Sequence, residues 1–305
     1  MTLLLQQITT GFMLGSIYVT VAVAFTLTIG VLNFLNFTIP AIFMITGMIA
    51  WAAAAYGFPF GVDGGISWPL ALFMGVTAAV FASLIVERFT FRYLRIRHGD
   101  ATEHAIPLVS SLGFLIIFEN LILIAFGSEA HSFPEKFKSD FYIGEIIIGL
   151  PQLASLAISL VVVAFLSWVL KTTSIGRALR AIAENPDTAS LLGIEVQRIV
   201  PLVFLFSGLL CGVAGVLFVV NYSDVSAFMG DEVGTKAIAA MVLGGLGSIW
   251  GAIAGGLIVG LLEALSIHFF GADTVNVTVW GTLLIVIIIK PSGLFGASRI
   301  GKGKL

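Results

Sequence analysis

The stretch TTGFMLGSIYVTVAVAFTLTIGVL, residues 9–32, decides the fold because it contains no acidic, basic or histidine side chain. A helix of about 20 mostly apolar residues is long enough to cross a bilayer. No Asp, Glu, Lys, Arg or His occurs in the first 62 residues, and only 10% of the 305 residues are charged. An ordinary soluble domain has roughly 25% charged residues. The sequence therefore predicts a membrane protein whose N-terminal segment is retained and not cleaved as a signal peptide.

Apolar runs of similar length recur along the chain. They cover residues 39–56, 68–86, 106–126, 150–170, 200–220 and 275–290. The run 235–270 is too long for one span and contains LGGLGS, so it forms either two crossings or a re-entrant segment around 235–250 followed by one crossing. We predict an all-α, polytopic membrane helix bundle of about eight crossings, forming one domain over residues 1–305.

The basic residues predict the orientation, because cytoplasmic loops are enriched in Lys and Arg. Loop 87–105, loop 171–199 and the C-terminal tail together hold 12 of the 15 Lys and Arg residues. The opposite loops carry most of the acids and only Lys136, Lys138 and Lys236. We therefore expect the N-terminus outside the cell and the C-terminus in the cytoplasm.

Four pairs of glycines are spaced as G-x-x-x-G, which allows two helix backbones to approach closely. The pairs are Gly11/Gly15, Gly208/Gly212, Gly251/Gly255 and Gly256/Gly260. We expect them to mark contacts between helices.

The residue pattern of loop 171–199 predicts two short helices. Apolar residues in 173–183 recur every three or four positions, while Arg177 and Arg180 lie off that stripe, which predicts an amphipathic helix. The next segment, NPDTASLLGI, begins with the helix-start residues Asn185, Pro186 and Asp187 and ends at Gly193. A solvated linker would explain the arginines. A capped helix that also exposes Leu191 and Leu192 favours docking into a partner, and Ala189 belongs to the same candidate coupling helix.

Glu119 and Asn120 lie within an apolar span, where an ionised acid is costly unless it is paired or hydrated. Two interpretations are open for Glu119: it lines a translocation path and contacts a polar group of the solute, or it is a structural link between helices. Glu263 is near a span end, where we expect its side chain to extend toward the interface.

Two further sets of residues are candidates for irregular backbone. Asn33 and Asn36 follow the first span, and their amides could satisfy backbone groups at a helix break before Pro40 or contact a solute. Gly244, Gly245, Gly247 and Ser248 are predicted to form a tight turn, with a possible role in gating.

Several motifs resemble permeases of branched-chain amino-acid ABC importers. They are SIGRALRAIAENPDTASLLGI (174–194), AIAAMVLGGLGSIWGAIAGGLIVGLLEA (237–264) and KPSGLFG (290–296). The stretches GSIYVTVAVAFTLTIGVLNF (15–34) and SLGFLIIFENLILIAFG (111–127) resemble the same family more loosely. The matches occur in order and cover most of the chain.

The resemblance implies a multi-pass permease subunit in the inner membrane of a bacterium. The implied partners are a second, similar permease subunit, two cytoplasmic ATPases and a periplasmic solute-binding protein, and no nucleic acid. Helix 185–193 would be the coupling helix that receives motion from the ATPase. The chain would bind no cofactor and catalyse no reaction, because ATP is used by the partner subunits and no G-x-x-x-x-G-K-[ST] loop occurs here.

Two departures from the family pattern bear on the solute. NFTIP at 36–40 stands where the family usually has N-F-A-H-G, and Glu119 stands where an amide is common. A urea, short-amide or organic-acid solute is therefore an alternative within the family.

A stand-alone secondary transporter or channel is the alternative from another class, and an intramembrane enzyme is a third. The spans contain almost no ionisable groups apart from Glu119 and Glu263, which argues against a proton-coupled transporter. The spans also lack a catalytic Ser-His, Asp-Asp or metal-binding set, and the single cysteine excludes a disulfide framework.

Overall fold

The computed structural model describes residues 2–57, 65–92, 105–134, 140–143 and 146–296. Eleven α-helices form the bundle in the described part of the chain. In chain order they are α1 (Thr2–Leu32), α2 (Thr38–Tyr56), α3 (Trp68–Val86), α4 (Ala105–Phe126), α5 (Leu150–Thr172), α6 (Ser174–Glu184), α7 (Pro186–Leu191), α8 (Val196–Tyr222), α9 (Met229–Gly244), α10 (Ile249–Phe270) and α11 (Val275–Ile289). A π-helical turn, Glu87–Arg92, extends α3, and a 3-10 turn, Ala272–Thr274, precedes α11.

Four short strands complete the described secondary structure. Strand β1 (His131–Ser132) pairs with β4 (Asp224–Val225), and β2 (Asp140–Ile143) pairs with β3 (Ile146–Gly149), both antiparallel. The β1–β4 pair joins the ends of α4 and α8. The imidazole of His131 stacks on Trp51 at 3.9 Å between ring centroids, which fixes this connection against α2.

Eight of the described helices are long and apolar enough to cross a membrane, which confirms the predicted polytopic bundle. They are all the helices except α6, α7 and α9, with the 3-10 turn counted together with α11. Helices α1 and α2 are the most deeply buried and form the centre of the core.

The predicted G-x-x-x-G contacts are confirmed, and they set the helix packing. Gly11 and Gly15 of α1 face Gly260 and Gly256 of α10 in antiparallel order, with no room for a side chain between the backbones. Gly208 and Gly212 of α8 pack on α3. Gly251 and Gly255 of α10 pack on Gly244 and Ala240 of α9. These contacts are close because glycine lets two helix backbones approach to near van der Waals distance.

One end of the bundle carries loop 171–199 and segment 290–296, and we call it the basic end. The Lys171 ammonium lies 5.4 Å from the ring centroid of Trp250, which places the end of α5 beside the start of α10. The Leu294 amide donates to the Leu243 carbonyl at 2.9 Å, which holds the C-terminal segment beneath the turn between α9 and α10.

Helix α9 resolves how the run 235–270 is built. The helix has 16 residues, too few to span a bilayer alone, and it packs antiparallel to α10 through Lys236, Ala240 and Gly244. Since α8 ends beside β4 at the opposite end, α9 and the residues before it return the chain to the basic end. The segment is therefore not re-entrant from the basic end.

This return also fixes the end of the bundle at which α1 begins relative to segment 290–296. Eight crossings alone would leave both termini on the same side, contrary to our expectation that eight crossings suffice to separate them. The pass through α9 is a ninth, so α1 begins at the end opposite to the one that holds segment 290–296.

Candidate functional site

The two helices of loop 171–199 form as the sequence predicts. Thr173 caps α6, since its hydroxyl accepts from the Gly176 amide at 3.1 Å. The Gly176, Leu179 and Ile182 face of α6 is buried against the bundle. Helix α6 is therefore anchored and positions α7 at the basic end.

Helix α7 is capped at both ends. The Asn185 side-chain oxygen accepts from the amides of Asp187 at 2.9 Å and Thr188 at 3.0 Å, and Pro186 occupies the first turn. Gly193 has a φ of +85°, the left-handed conformation that ends a helix at low cost for glycine. Local hydrogen bonds thus fix the shape of this short helix before any partner binds.

Two leucine side chains at the end of α7 project away from the bundle. Ala189 is buried under the helix, whereas Leu191 is 88% exposed and Leu192 is 76% exposed. Two adjacent leucines exposed on a rigid loop form a surface suited to a groove on another protein. The part that α7 plays in coupling to an ATPase stays a prediction.

Arg177 and Arg180 are used within the chain. Arg177 donates to the Thr172 carbonyl at 3.3 Å, and Arg180 donates to the Leu170 carbonyl. Both guanidinium groups therefore satisfy the carbonyl end of α5, where a cation is favoured by the helix dipole. Their predicted contact with an ATPase would have to be made in addition to these bonds.

Within the bundle, Glu263 is buried and does not extend to the interface, contrary to our expectation from sequence. Its side chain is ion-paired with Lys236, 2.6 Å between Nζ and Oε1, and accepts from the Tyr18 hydroxyl at 2.6 Å. Lys236 also binds Glu232 at 3.1 Å. The expectation failed because Lys236 and the Tyr18 hydroxyl supply the ion pair and the hydrogen bond that a buried carboxylate requires.

Lys236 was assigned from sequence to an outside loop, and this assignment is wrong. The residue lies in the middle of α9 and is 4% exposed. Asp231 and Glu232 occupy the first turn of the same helix. Sequence reasoning missed the network of Tyr18, Lys236 and Glu263, although a base and an acid within the one apolar run 235–270 both needed partners.

Glu119 on α4 interacts with Asp231 on α9, electrostatically and through a side-chain hydrogen bond. Glu119 is half-buried and Asp231 is exposed at the surface of this single chain. A hydrogen bond between two carboxyl groups requires one proton between them, because an ionised carboxylate only accepts. An exposed acid within the apolar bundle is not stable against lipid, so this contact faces either water or another protein.

The other two predicted path residues are not part of the Glu119 contact. Asn120 is exposed and donates to the Ile116 carbonyl of its own helix at 2.8 Å. Asn36 is fully buried, and its oxygen accepts from the amide and hydroxyl of Thr38 at the start of α2. The Asn36 amide nitrogen has no hydrogen-bond partner among the described residues. The Asn36 oxygen therefore binds the first residue of α2 after the break at residues 33–37, and a contact of Asn36 with the solute stays a prediction.

The predicted glycine turn joins α9 to α10 at the basic end. Gly245 and Gly247 have φ values of +113° and +79°, which residues with side chains rarely adopt. The Ser248 hydroxyl caps α10 by accepting from the Gly251 amide at 3.1 Å. The Phe295 amide binds the Gly244 carbonyl at 2.8 Å. The turn is thus held by the C-terminal segment, and its role in gating stays a prediction.

Comparison with known proteins agrees with this architecture. Residues 7–289 match the family model described as "Branched-chain amino acid transport system / permease component". The chain is 31% identical to the high-affinity branched-chain amino acid transport system permease protein BraD of Pseudomonas aeruginosa, over 98% of this chain and 97% of BraD. It is 32% identical to LivH of Escherichia coli, a permease protein of the same description, with the same coverage. The fructose import permease protein FrcC of Rhizobium meliloti is 26% identical over 95% of this chain and 75% of FrcC.

Proposed function

This chain belongs to the family of branched-chain amino acid transport system permease components, and we propose that it is one membrane-spanning subunit of an ABC importer in a bacterial inner membrane. The observation that supports the proposal most directly is α7, a helix capped at both ends whose exposed Leu191 and Leu192 project beyond the bundle. A rigid helix of this kind can transmit motion between a partner and the helices that it joins.

The partners follow from the same proposal. Two cytoplasmic ATPase subunits use ATP and bind at the basic end, and a second homologous permease subunit completes the pathway. A periplasmic binding protein delivers the solute to the opposite end. The positive-inside rule supports this orientation, because the basic loops then face the cytoplasm and the N-terminus faces outward.

Branched-chain aliphatic amino acids are the proposed solutes. The support is the similarity to BraD and LivH over nearly the whole of each chain. FrcC is less similar and matches over a smaller share of its own length. Uptake of labelled leucine, isoleucine and valine, measured beside urea, acetamide and fructose in vesicles containing the complete complex, tests this choice. Transport of any of the last three in preference to leucine contradicts it.

The coupling role of α7 is tested by Leu191→Asp in the reconstituted importer. A carboxylate in an apolar groove should reduce solute-stimulated ATP hydrolysis and uptake by about tenfold or more, since an unpaired buried charge costs several kcal/mol. Ser174→Asp is the matched control, because it adds the same charge at an exposed position of α6. Equal activity of the two variants in correctly assembled complexes would remove the support for coupling through α7.

A further inference from the structure

A cavity of about 730 Å³ opens between the π-helical turn Glu87–Arg92 and α7. Its polar lining consists of Glu87, Arg92, Asp187, Ser190, Glu195 and Gln197. One wall therefore comes from the end of α3 and the other from α7 and the start of α8. The cavity lies beside the two exposed leucines of α7 and opens at the same end of the bundle.

Glu87 is the unusual member of this lining. Its side chain is only 5% exposed, yet its carboxylate makes no hydrogen bond and no ion pair within 4 Å among the described residues. Arg88 and Arg92 act on it only through longer-range electrostatics. Glu195, by contrast, is exposed and already paired with Arg198 at 2.5 Å. Because the Glu87 carboxylate lines the cavity and has no direct partner among the described residues, it can bind a cation that enters the cavity.

We propose that the cavity receives an arginine or lysine side chain of the cytoplasmic ATPase subunit, which forms an ion pair with Glu87. This inference rests on the proposed function. Among the described lining residues, Glu87 and Asp187 present carboxyl groups without an ion pair against the single guanidinium of Arg92, so the charge favours a cationic group over a phosphate or a nucleotide. A guanidinium can bind a carboxylate through two parallel hydrogen bonds, which makes arginine the better fit.

The contact gives the ATPase a second point of attachment. Leu191 and Leu192 present an apolar surface on α7, and Glu87 presents a charge at the end of α3. Helix α3 is bound to α8, since the Ser83 hydroxyl donates to the Phe204 carbonyl at 2.6 Å. A displacement of the ATPase would therefore act on α3 and α8 together, as well as on the loop that carries α7.

Glu87→Gln in the complete importer tests whether the negative charge of Glu87 is needed for activity. The amide keeps the size of the side chain but cannot form the ion pair, so solute-stimulated ATP hydrolysis should fall by about tenfold or more. Glu129→Gln, which removes an exposed acid near the opposite end, is the matched control and should retain full activity. Wild-type activity of Glu87→Gln overturns the inference.

A photo-reactive amino acid in place of Gln197, with Glu87 intact, tests which chain enters the cavity without removing the proposed ion pair. Cross-linking of this position to the ATPase chain, at a peptide that contains Arg or Lys, supports the inference. Cross-links only within this chain or only to the second permease subunit overturn it. Co-purification of the wild-type chain with the ATPase is measured first. If the chain does not co-purify with the ATPase, the proposed function itself is refuted. If the two co-purify but no cross-link to the ATPase forms, only the Glu87 contact is refuted.

Discussion

Lys236 of α9 and Glu263 of α10 form a buried ion pair, 2.6 Å between Nζ and Oε1, in which neither side chain is more than 8% exposed. The Tyr18 hydroxyl completes the network from α1. Three helices are thus joined by one carboxylate. Because α9 has only 16 residues, this network fixes much of its position along α10.

Removing one charge of this pair should be more harmful than removing both. Lys236→Met leaves Glu263 buried without its base and should destabilise the bundle by about 3–5 kcal/mol. Lys236→Met combined with Glu263→Gln leaves no unpaired charge and keeps an acceptor for Tyr18, so much of the loss should be recovered. The measurement is the thermal unfolding midpoint of the purified chain in detergent. If the loss of stability in the double variant equals the sum of the losses in the two single variants, the two side chains are not coupled.

Gly260 of α10 should not tolerate even a methyl group. A Cβ atom there would lie 2.4 Å from the Gly15 Cα, so Gly260→Ala must separate α1 from α10 and should cost about 1–3 kcal/mol. Gly113→Ala is the matched control, because a Cβ at Gly113 meets nothing within 4 Å. The control should be neutral or stabilising, since alanine favours helix over glycine by about 1 kcal/mol. The same unfolding assay compares them, and equal destabilisation would contradict the packing argument.

The cap of α7 should matter for coupling. Asn185→Ala removes the acceptor for the Asp187 and Thr188 amides and should weaken the helix start by about 1 kcal/mol. Asn185→Asp keeps an acceptor and should behave as wild type. The measurement is the ratio of solute uptake to ATP hydrolysis in reconstituted vesicles. An unchanged ratio in Asn185→Ala would mean that the partner alone imposes the shape of α7.

Two substitutions of Glu119 test the contact between Glu119 and Asp231. Glu119→Gln supplies a permanent donor to Asp231, so a pH dependence of uptake in wild type should become flatter in this variant. Glu119→Leu removes the bond altogether.

The two variants also separate a path role from a structural one. Uptake against pH and complex assembly are measured for each. A changed profile or solute ranking in Glu119→Gln, with normal assembly, assigns Glu119 to the path. A wild-type profile in Glu119→Gln, beside failed assembly in Glu119→Leu, assigns it to the contact between helices.

Accessibility labelling should confirm the nine-pass arrangement. Cys211 is buried, and single cysteines are introduced after it is replaced by serine. Position 129 should react with a membrane-impermeant thiol reagent added outside intact cells, whereas positions 190 and 292 should react only after the membrane is opened. Labelling of position 292 from outside would show that α9 does not return the chain to the basic end.

The sequence predicted the features of this chain that depend on residues close together along it. Long runs without charge identify the spans, and the cap of α7 lies within the nine residues 185–193, as does the glycine that ends it. Such signals are visible because a hydrophobic run or a helix cap depends only on residues within one segment of the chain. Even the G-x-x-x-G pairs were recognisable, although their partners were not.

Only the tertiary structure decided which distant residues meet. Glu263 is 245 positions from Tyr18 and 27 from Lys236, and no local pattern specifies that the three converge. The same holds for Glu119 with Asp231 and for the cavity between Glu87 and α7. These contacts depend on the order in which glycine-lined helices pack and on the antiparallel return of α9. The free energy of a buried charge then depends on the partner that this packing brings to it.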